Sequence, residues 1–114
     1  MALIVKRCKI YNDTYAKADV RVKKKMIEFI KVKSENPTTQ FGSSDRHLNP
    51  PLKEYKHAKL TPDISIFYQT GSNELRLFGI FTHDDSGTGQ PANQNKQNSL
   101  AIKFGNQTFF EGVK

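Results

Sequence analysis

Two runs of strand-forming residues, Ile64 to Gln69 and Glu74 to Phe81, alternate apolar and polar side chains across the short link Thr70-Gly71-Ser72-Asn73. β-branched and aromatic residues fit the pleated surface of a sheet, and a brief Gly/Asn-bearing link between two such runs signals a hairpin. The pair predicts an antiparallel hairpin around which the rest of the chain is organised. With Gln69 opposite Glu74, the two-residue period gathers Ile64, Ile66, Tyr68, Leu75, Leu77 and Phe81 on one face. Asp63, Ser65, Phe67, Arg76, Phe78 and Ile80 fall on the other. The first set reads as core. The second mixes a carboxylate, a hydroxyl and a guanidinium with two phenyl rings, which suits a half-open surface that binds something. A plainer reading of the same residues has Asp63 starting the strand after Thr61-Pro62 and Arg76 covering a solvated face.

The flanking segments supply helices and further strands. Ala2 to Ile10 reads as a first strand, and Tyr11-Asn12-Asp13-Thr14 carries turn and N-cap chemistry. From Tyr15 to Ser34, Ala18, Val22, Met26 and Phe29 recur at helical spacing, with Lys23, Lys24, Lys25, Lys31 and Lys33 largely off that stripe. Asn36-Pro37 ends the helix, because the residue before proline is pushed out of the α region. Thr38 to Pro51 is loop with a short segment near Arg46-His47-Leu48, and Leu52 to Leu60 reads as a strand beside the hairpin. After His83 comes a Ser/Gly loop to Pro91, then a helix over Ala92 to Phe104 with Leu100 and Phe104 on one stripe and Gly105 as its stop. Phe109-Phe110 belongs to a short last strand or a docked tail.

These elements make one α+β domain over 1–114: a small twisted antiparallel sheet (strand, helix, three-strand meander) with N-terminal and C-terminal helices packed against it. Residues 86–114 extend past the meander. A chain of 114 residues supports one modest core, and with 36% hydrophobic residues that core leans on its eight Phe and four Tyr. No run approaches the ~18 apolar residues of a spanning helix, and the apolar start is too short for a signal peptide, so the expected address is cytoplasmic, with no membrane partner. The single cysteine, Cys8, excludes an internal disulfide and reads as a small buried hydrophobe. A net charge of +7 favours polyanionic partners, either nucleic acid or an acidic protein.

Leu52, Tyr55, Lys56, Pro62-Asp63, Tyr68 and Phe81-Thr82-His83, set in the order strand, helix, loop, meander, form a pattern that resembles the RelE/YafQ-like toxins of bacterial toxin–antitoxin systems. The resemblance covers the stretch from Leu52 to His83 and implies a small twisted sheet whose open face cleaves mRNA on the ribosome without metal or other cofactor. It also implies an acidic antitoxin as the neutralising partner. By position, Asp63 and His83 match the catalytic carboxylate and histidine of that family, and His47 matches an earlier histidine. Lys59 stands where a central histidine is expected, with His57 two residues before it, so that role falls to either.

Cleavage of RNA through its own 2′-hydroxyl needs a base, cationic groups for the charge gathering on phosphorus, and an acid for the leaving 5′ oxygen. Histidine can perform both proton transfers. The resemblance and this chemistry together give His83 and either His57 or His47 the acid–base roles and Asp63 the tuning of a histidine. Lys59 and Arg76, supported by Lys56 and Lys53, would meet the phosphates, and Phe67 and Phe78 would offer stacking surface for bases. Simple alternation puts His83 on the face of Phe81, away from Asp63, so convergence requires the strand to end or bulge near Thr82. The three histidines and Asp84-Asp85 fit no standard metal spacing, and no metal is expected. A non-catalytic ParE-like gyrase inhibitor, or a basic RNA- or protein-binding module, is the alternative from another class.

Overall fold

The computed structural model describes residues 3–42, 45–71, 73–89 and 91–111. Ala2 of the first predicted strand, Ser72 of the hairpin link, Gln90 of the Ser/Gly loop and the tail residues Gly112 to Lys114 lie outside them.

The first strand, β1, is Ile4–Arg7, and the chain turns at Cys8 straight into helix α1, Lys9–Lys17. The predicted strand to Ile10 is therefore too long. Cys8 is fully buried against the Leu77 and Phe78 carbonyls, and Ile10 and Tyr11 face the core from a helix. Nor is the long helix continuous. Ala18 is extended, and Asp19 caps α2, Val20–Glu35, by accepting the Val22 N–H at 3.0 Å. A carboxylate at an N-cap satisfies one of the free amides of the first turn, so Asp19 restarts the helix where the apolar stripe alone predicts continuity. Val22, Met26 and Phe29 fill the buried stripe as expected, and Asn36 ends α2. Lys33 departs from the predicted basic face: it is buried and pairs with the buried Asp45 carboxylate, which also accepts the Tyr68 hydroxyl and the Phe41 N–H. Burial pushes the Asp45 carboxyl up, but Lys33, Tyr68 and the Phe41 amide outweigh it and hold it below the ordinary range. That network ties the loop after α2 to the middle of the sheet.

The meander follows as β2 (Arg46–His47), β3 (Lys56–Lys59), β4 (Ile64–Gly71) and β5 (Glu74–Thr82). Leu52 and Tyr55, assigned to a strand from sequence, are instead buried in the connection before β3. After β5, His83–Ser86 forms the one-turn helix α3, Gln94–Gly105 forms α4, and Phe110–Glu111 forms β6. Asn93 caps α4 through the Lys96 N–H, so Pro91 precedes the helix rather than opening it. The sheet order is β2-β3-β4-β5-β1-β6, with β1 parallel to β5 and the remaining pairs antiparallel.

The hairpin register carries the main correction. Gln69 lies opposite Arg76, not Glu74, and Phe67 pairs with Gly79 while Tyr68 pairs with Leu77, leaving Phe78 unmatched. One extra residue in a strand reverses the face of everything after it. Ile80 therefore joins Ile66, Tyr68, Leu75 and Leu77 under α1 and α2, and Phe81 joins the opposite face, the reverse of the simple alternation. β1 ends opposite Leu77, and beyond it Thr14 of α1 accepts the Ile80 N–H at 3.0 Å.

The second face is not open. Leu100 and Phe104 of α4 pack with Leu52, Tyr55, Phe67 and Phe78 in a second apolar core, where the Phe104 ring lies 5.0 Å from Phe78 and 5.1 Å from Tyr55. The sheet is thus a middle layer between α1–α2 and α4. No helix among the described residues is long and apolar enough to cross a membrane.

The bulge gives a direct test. A Cβ at Gly79 would stand 2.6 Å from Phe81 Cε2 and 3.0 Å from Ile10 Cγ2, both packed side chains, whereas one at Gly105 meets nothing within 4 Å. Gly79→Ala should lower unfolding stability by about 1–3 kcal/mol through overpacking. Gly105→Ala should leave it unchanged or raise it by roughly 0.5 kcal/mol, both read from denaturant midpoints at constant m-value.

Candidate functional site

The end of β5 and the start of α3 place His83. Thr82 caps α3 by accepting the Asp85 N–H at 3.0 Å, and the His83 N–H donates to the Asp63 carbonyl at 3.0 Å. The His83 carbonyl in turn accepts the Thr88 and Gly89 amides at 3.0 and 3.2 Å. Gly87 closes α3 in the left-handed region (φ 79°), where a Cβ would collide with the Asn93 carbonyl oxygen. His83 is therefore held by its backbone from both sides. Its ring follows the face set by the bulge, and Nε2 lies 3.3 Å from the hydroxyl of the fully buried Ser65.

His83 and Asp63 line one cavity of about 660 Å³. The convergence that simple alternation denied is thus obtained, by a bulge at Phe78 several residues before the expected position near Thr82. Lys96 of α4 completes the wall; its ammonium donates to the Asp84 carbonyl at 2.9 Å. The sequence set Ser65 on the face of Asp63 without a role of its own, which it gains once the bulge turns His83 to that face, and Lys96 joins this cavity only because α4 folds back.

Other predicted residues gather elsewhere. His47, Lys56 and Arg76 line a second cavity of about 440 Å³ at the hairpin end of the sheet, where Arg76 donates to Glu74 at 2.8 Å and lies over the Phe109 ring, while the Lys56 ammonium turns to the α1–α2 side, 6.0 Å over the Tyr68 ring. The aromatic core under α4 stands between this group and His83. Lys53 is exposed, and its carbonyl lies 3.2 Å from His47 Nδ1. Lys59 is exposed at the end of β3, opposite Ser65 in the ladder, and lines a cavity with Lys25 and Glu28 of α2 rather than the one of Asp63 and His83. Phe67 and Phe78 are corrected outright: at 0% and 3% exposure beneath α4, neither has a ring face free for a base. Among the described residues no group of three or more His, Cys, Asp or Glu side chains comes together as a metal site.

His57 sits between the two groups. It is 8% exposed, its ring is 6.0 Å from that of Phe67, and its Nδ1 has no hydrogen-bond partner among the described residues. Burial, reinforced by Arg46, His83 and Lys59, pushes its pKa down to about 4. It is neutral at pH 7, which makes it a poor proton donor there.

No protein-family model matches the chain, and no curated protein matches it in sequence. Solved structures do match. The DinJ–YafQ toxin–antitoxin complex of E. coli is similar with a TM-score of 0.62 at 19% identity, covering 74% of this chain and 96% of the matched one. The RelBE2 toxin–antitoxin complex of Mycobacterium tuberculosis gives 0.58 at 13% identity, over 72% and 99%. A YoeB/ParE toxin from Agrobacterium tumefaciens gives 0.58 at 20% identity, over 73% and 99%. The chain has the RelE/YafQ-like toxin fold. These toxin chains match over nearly their full lengths, whereas about a quarter of this chain lies outside each match.

The depressed His57 pKa has a consequence for stability. An unfolded chain protonates histidine near 6.5, whereas folded His57 protonates only near 4. Between those values the unfolded state binds more protons, so stability falls as pH drops from 6.5 to 4, by at most about 3 kcal/mol from this group. Denaturant unfolding across pH 4–7 should show that decline in the parent protein and a flatter profile in His57→Leu.

Proposed function

We propose that this protein is a toxin that cleaves RNA, an endoribonuclease acting on mRNA as an interferase, with translation as its target and the ribosome as the setting. The observation that carries the reading is the meeting of His83 and Asp63 at one cavity on a toxin-type fold, with Lys96 beside them and Ser65 behind the imidazole.

In this mechanism the scissile phosphate lies between His83 and Asp63. The exposed Asp63 carboxylate takes the proton from the 2′-hydroxyl, whose oxygen attacks phosphorus. The bond from phosphorus to the 5′ oxygen breaks, and His83 gives that oxygen its proton, leaving a 2′,3′-cyclic phosphate and a free 5′-hydroxyl. Lys96, in the wall of the same cavity, meets the charge on the phosphoryl oxygens, and Lys59, at the end of the neighbouring strand, adds to the positive field around it. Ser65, through Nε2, fixes the ring so that Nδ1 is the nitrogen presented to substrate. His57, neutral and buried, takes no proton in this scheme, and His47, Lys56, Lys53 and Arg76 guide the RNA strand at a distance. No metal or organic cofactor is required.

A net charge of +7 supports both a nucleic-acid substrate and an acidic antitoxin as the neutralising partner. The similar DinJ–YafQ and RelBE2 structures are themselves toxin–antitoxin complexes.

Induced expression in bacteria, with transcript ends mapped, tests the proposal. The parent protein should arrest growth and cut transcripts. His83→Ala should slow cleavage by about 10²–10⁴-fold, the usual worth of one acid–base group, and Asp63→Asn should slow it too. A DNA-damage response with intact transcripts would replace this reading with the gyrase inhibitor, and growth without either effect would leave a passive binder.

A further inference from the structure

Three cavities run along the face that carries His83, and they share walls. His47 belongs both to the cavity of Lys56 and Arg76 and to a middle one of about 460 Å³; Gly89 belongs both to the middle one and to that of Asp63 and His83. The middle cavity has no part in the mechanism above. One side of it is Arg46 and His57 of β2 and β3, and the other is Thr88, Gly89, Gln94 and Gln97 of the C-terminal segment.

Its chemistry is specific. Among the described residues no carboxylate lines it, and neither does a lysine. It contains a guanidinium, carboxamides, a hydroxyl and imidazoles, with Leu48, Pro50 and Ala92 as apolar wall. Its volume falls within the roughly 300–1,000 Å³ of small-molecule sites, while its lining is more polar than theirs usually is. The His57 ring forms part of the wall, with its Nδ1 closed off from the cavity, so the polar groups open to a ligand are the Arg46 guanidinium and the carboxamides. A carboxamide presents donors and an acceptor side by side, which match the edge of a heterocycle better than a phosphate. Arg46 is exposed at the mouth, where a guanidinium can stack on a planar ring.

We propose that the cavity between β2–β3 and the start of α4 is a nucleobase pocket, holding the base of the nucleotide next to the phosphate that lies between Asp63 and His83. The proposal rests on the RNA-cleaving reading and gives the C-terminal segment a task in it: α4 covers the aromatic face and supplies Gln94 and Gln97 as base-reading groups. Gln97 is itself held by donating to the Gly87 carbonyl at 2.7 Å, so its carboxamide oxygen is the atom left to accept from a base. Gln94 is exposed and can be changed without disturbing a core.

Isotopically labelled full-length protein carrying His83→Ala is titrated separately with the four nucleoside 5′-monophosphates and with inorganic phosphate, following the His57 imidazole and the Gln94 and Gln97 carboxamide resonances. At least one nucleotide should move these signals and bind at least fivefold more tightly than another, and Gln94→Ala should erase most of that preference. Equal shifts from phosphate alone, or equal binding of all four nucleotides, would overturn the pocket, as would silence at His57. Because the readout is binding, it separates the two ideas. Base-selective shifts in a protein that cuts no RNA would sink the mechanism and keep the pocket, whereas cleavage without a base response at His57 would sink the pocket alone.

Discussion

Phe78 has no partner across the hairpin, and that one unmatched residue governs both apolar cores and the site. A strand that gains a residue turns every later side chain to the other face. Ile80 is sent to the α1–α2 core and Phe81 to the α4 core, and His83 arrives beside Ser65 rather than behind it. Gly79, at the bulge, is squeezed between Phe81 and Ile10, so the kink is held from both layers at once. The Thr14 hydroxyl secures the same place by accepting the Ile80 N–H where β1 has ended.

The second consequence is that the hairpin has two buried faces. Basic, thinly hydrophobic chains of this size have little apolar surface to spare, yet Phe67, Phe78 and Phe81 form a contiguous patch that needs cover. Tyr55 provides it edge-on and Phe104 at a tilt, with ring centroids 4.9 Å apart for Tyr55–Phe78 and 5.0 Å for Phe78–Phe104. Covering the patch brings the start of α4 alongside the histidines. What remains open is a line of cavities around the rim of α4, with the Asp63–His83 pair at one end and His47, Lys56 and Arg76 at the other. A strand of RNA lying along such a rim would meet its cations and its proton-transfer groups at different positions, which is how this chain distributes them.

Much of the architecture was legible in the sequence. The hairpin, the apolar stripe Val22, Met26 and Phe29, the end of the second helix at Asn36, and the stripe of Leu100 and Phe104 all stand where periodicity and turn chemistry put them. The misses have physical causes. Lys33 looks solvated by its type and is buried because Asp45, twelve positions on, neutralises it across a loop that sequence cannot fold. Asp19 lies inside an apolar period and reads as a helical residue until its side chain is seen on the Val22 amide. The bulge did leave a trace, because an isolated glycine within a strand pattern marks such irregularities, and Gly79 is one. Lys96 and Gln94 left none. Their meaning comes from a long-range fold-back, and the composition around them suggests only a polar helix.

Everything said about the site depends on the direction of the His83 ring, and the nuclear Overhauser contacts of its imidazole protons measure that directly. The account predicts cross-peaks from the ring to the Ser65 β-protons, on the α4 side of the sheet. Cross-peaks to Ile64 or Ile66 in their place, with none to Ser65, would put the imidazole on the α1–α2 side, away from the cavity it is said to share with Asp63, and would contradict it.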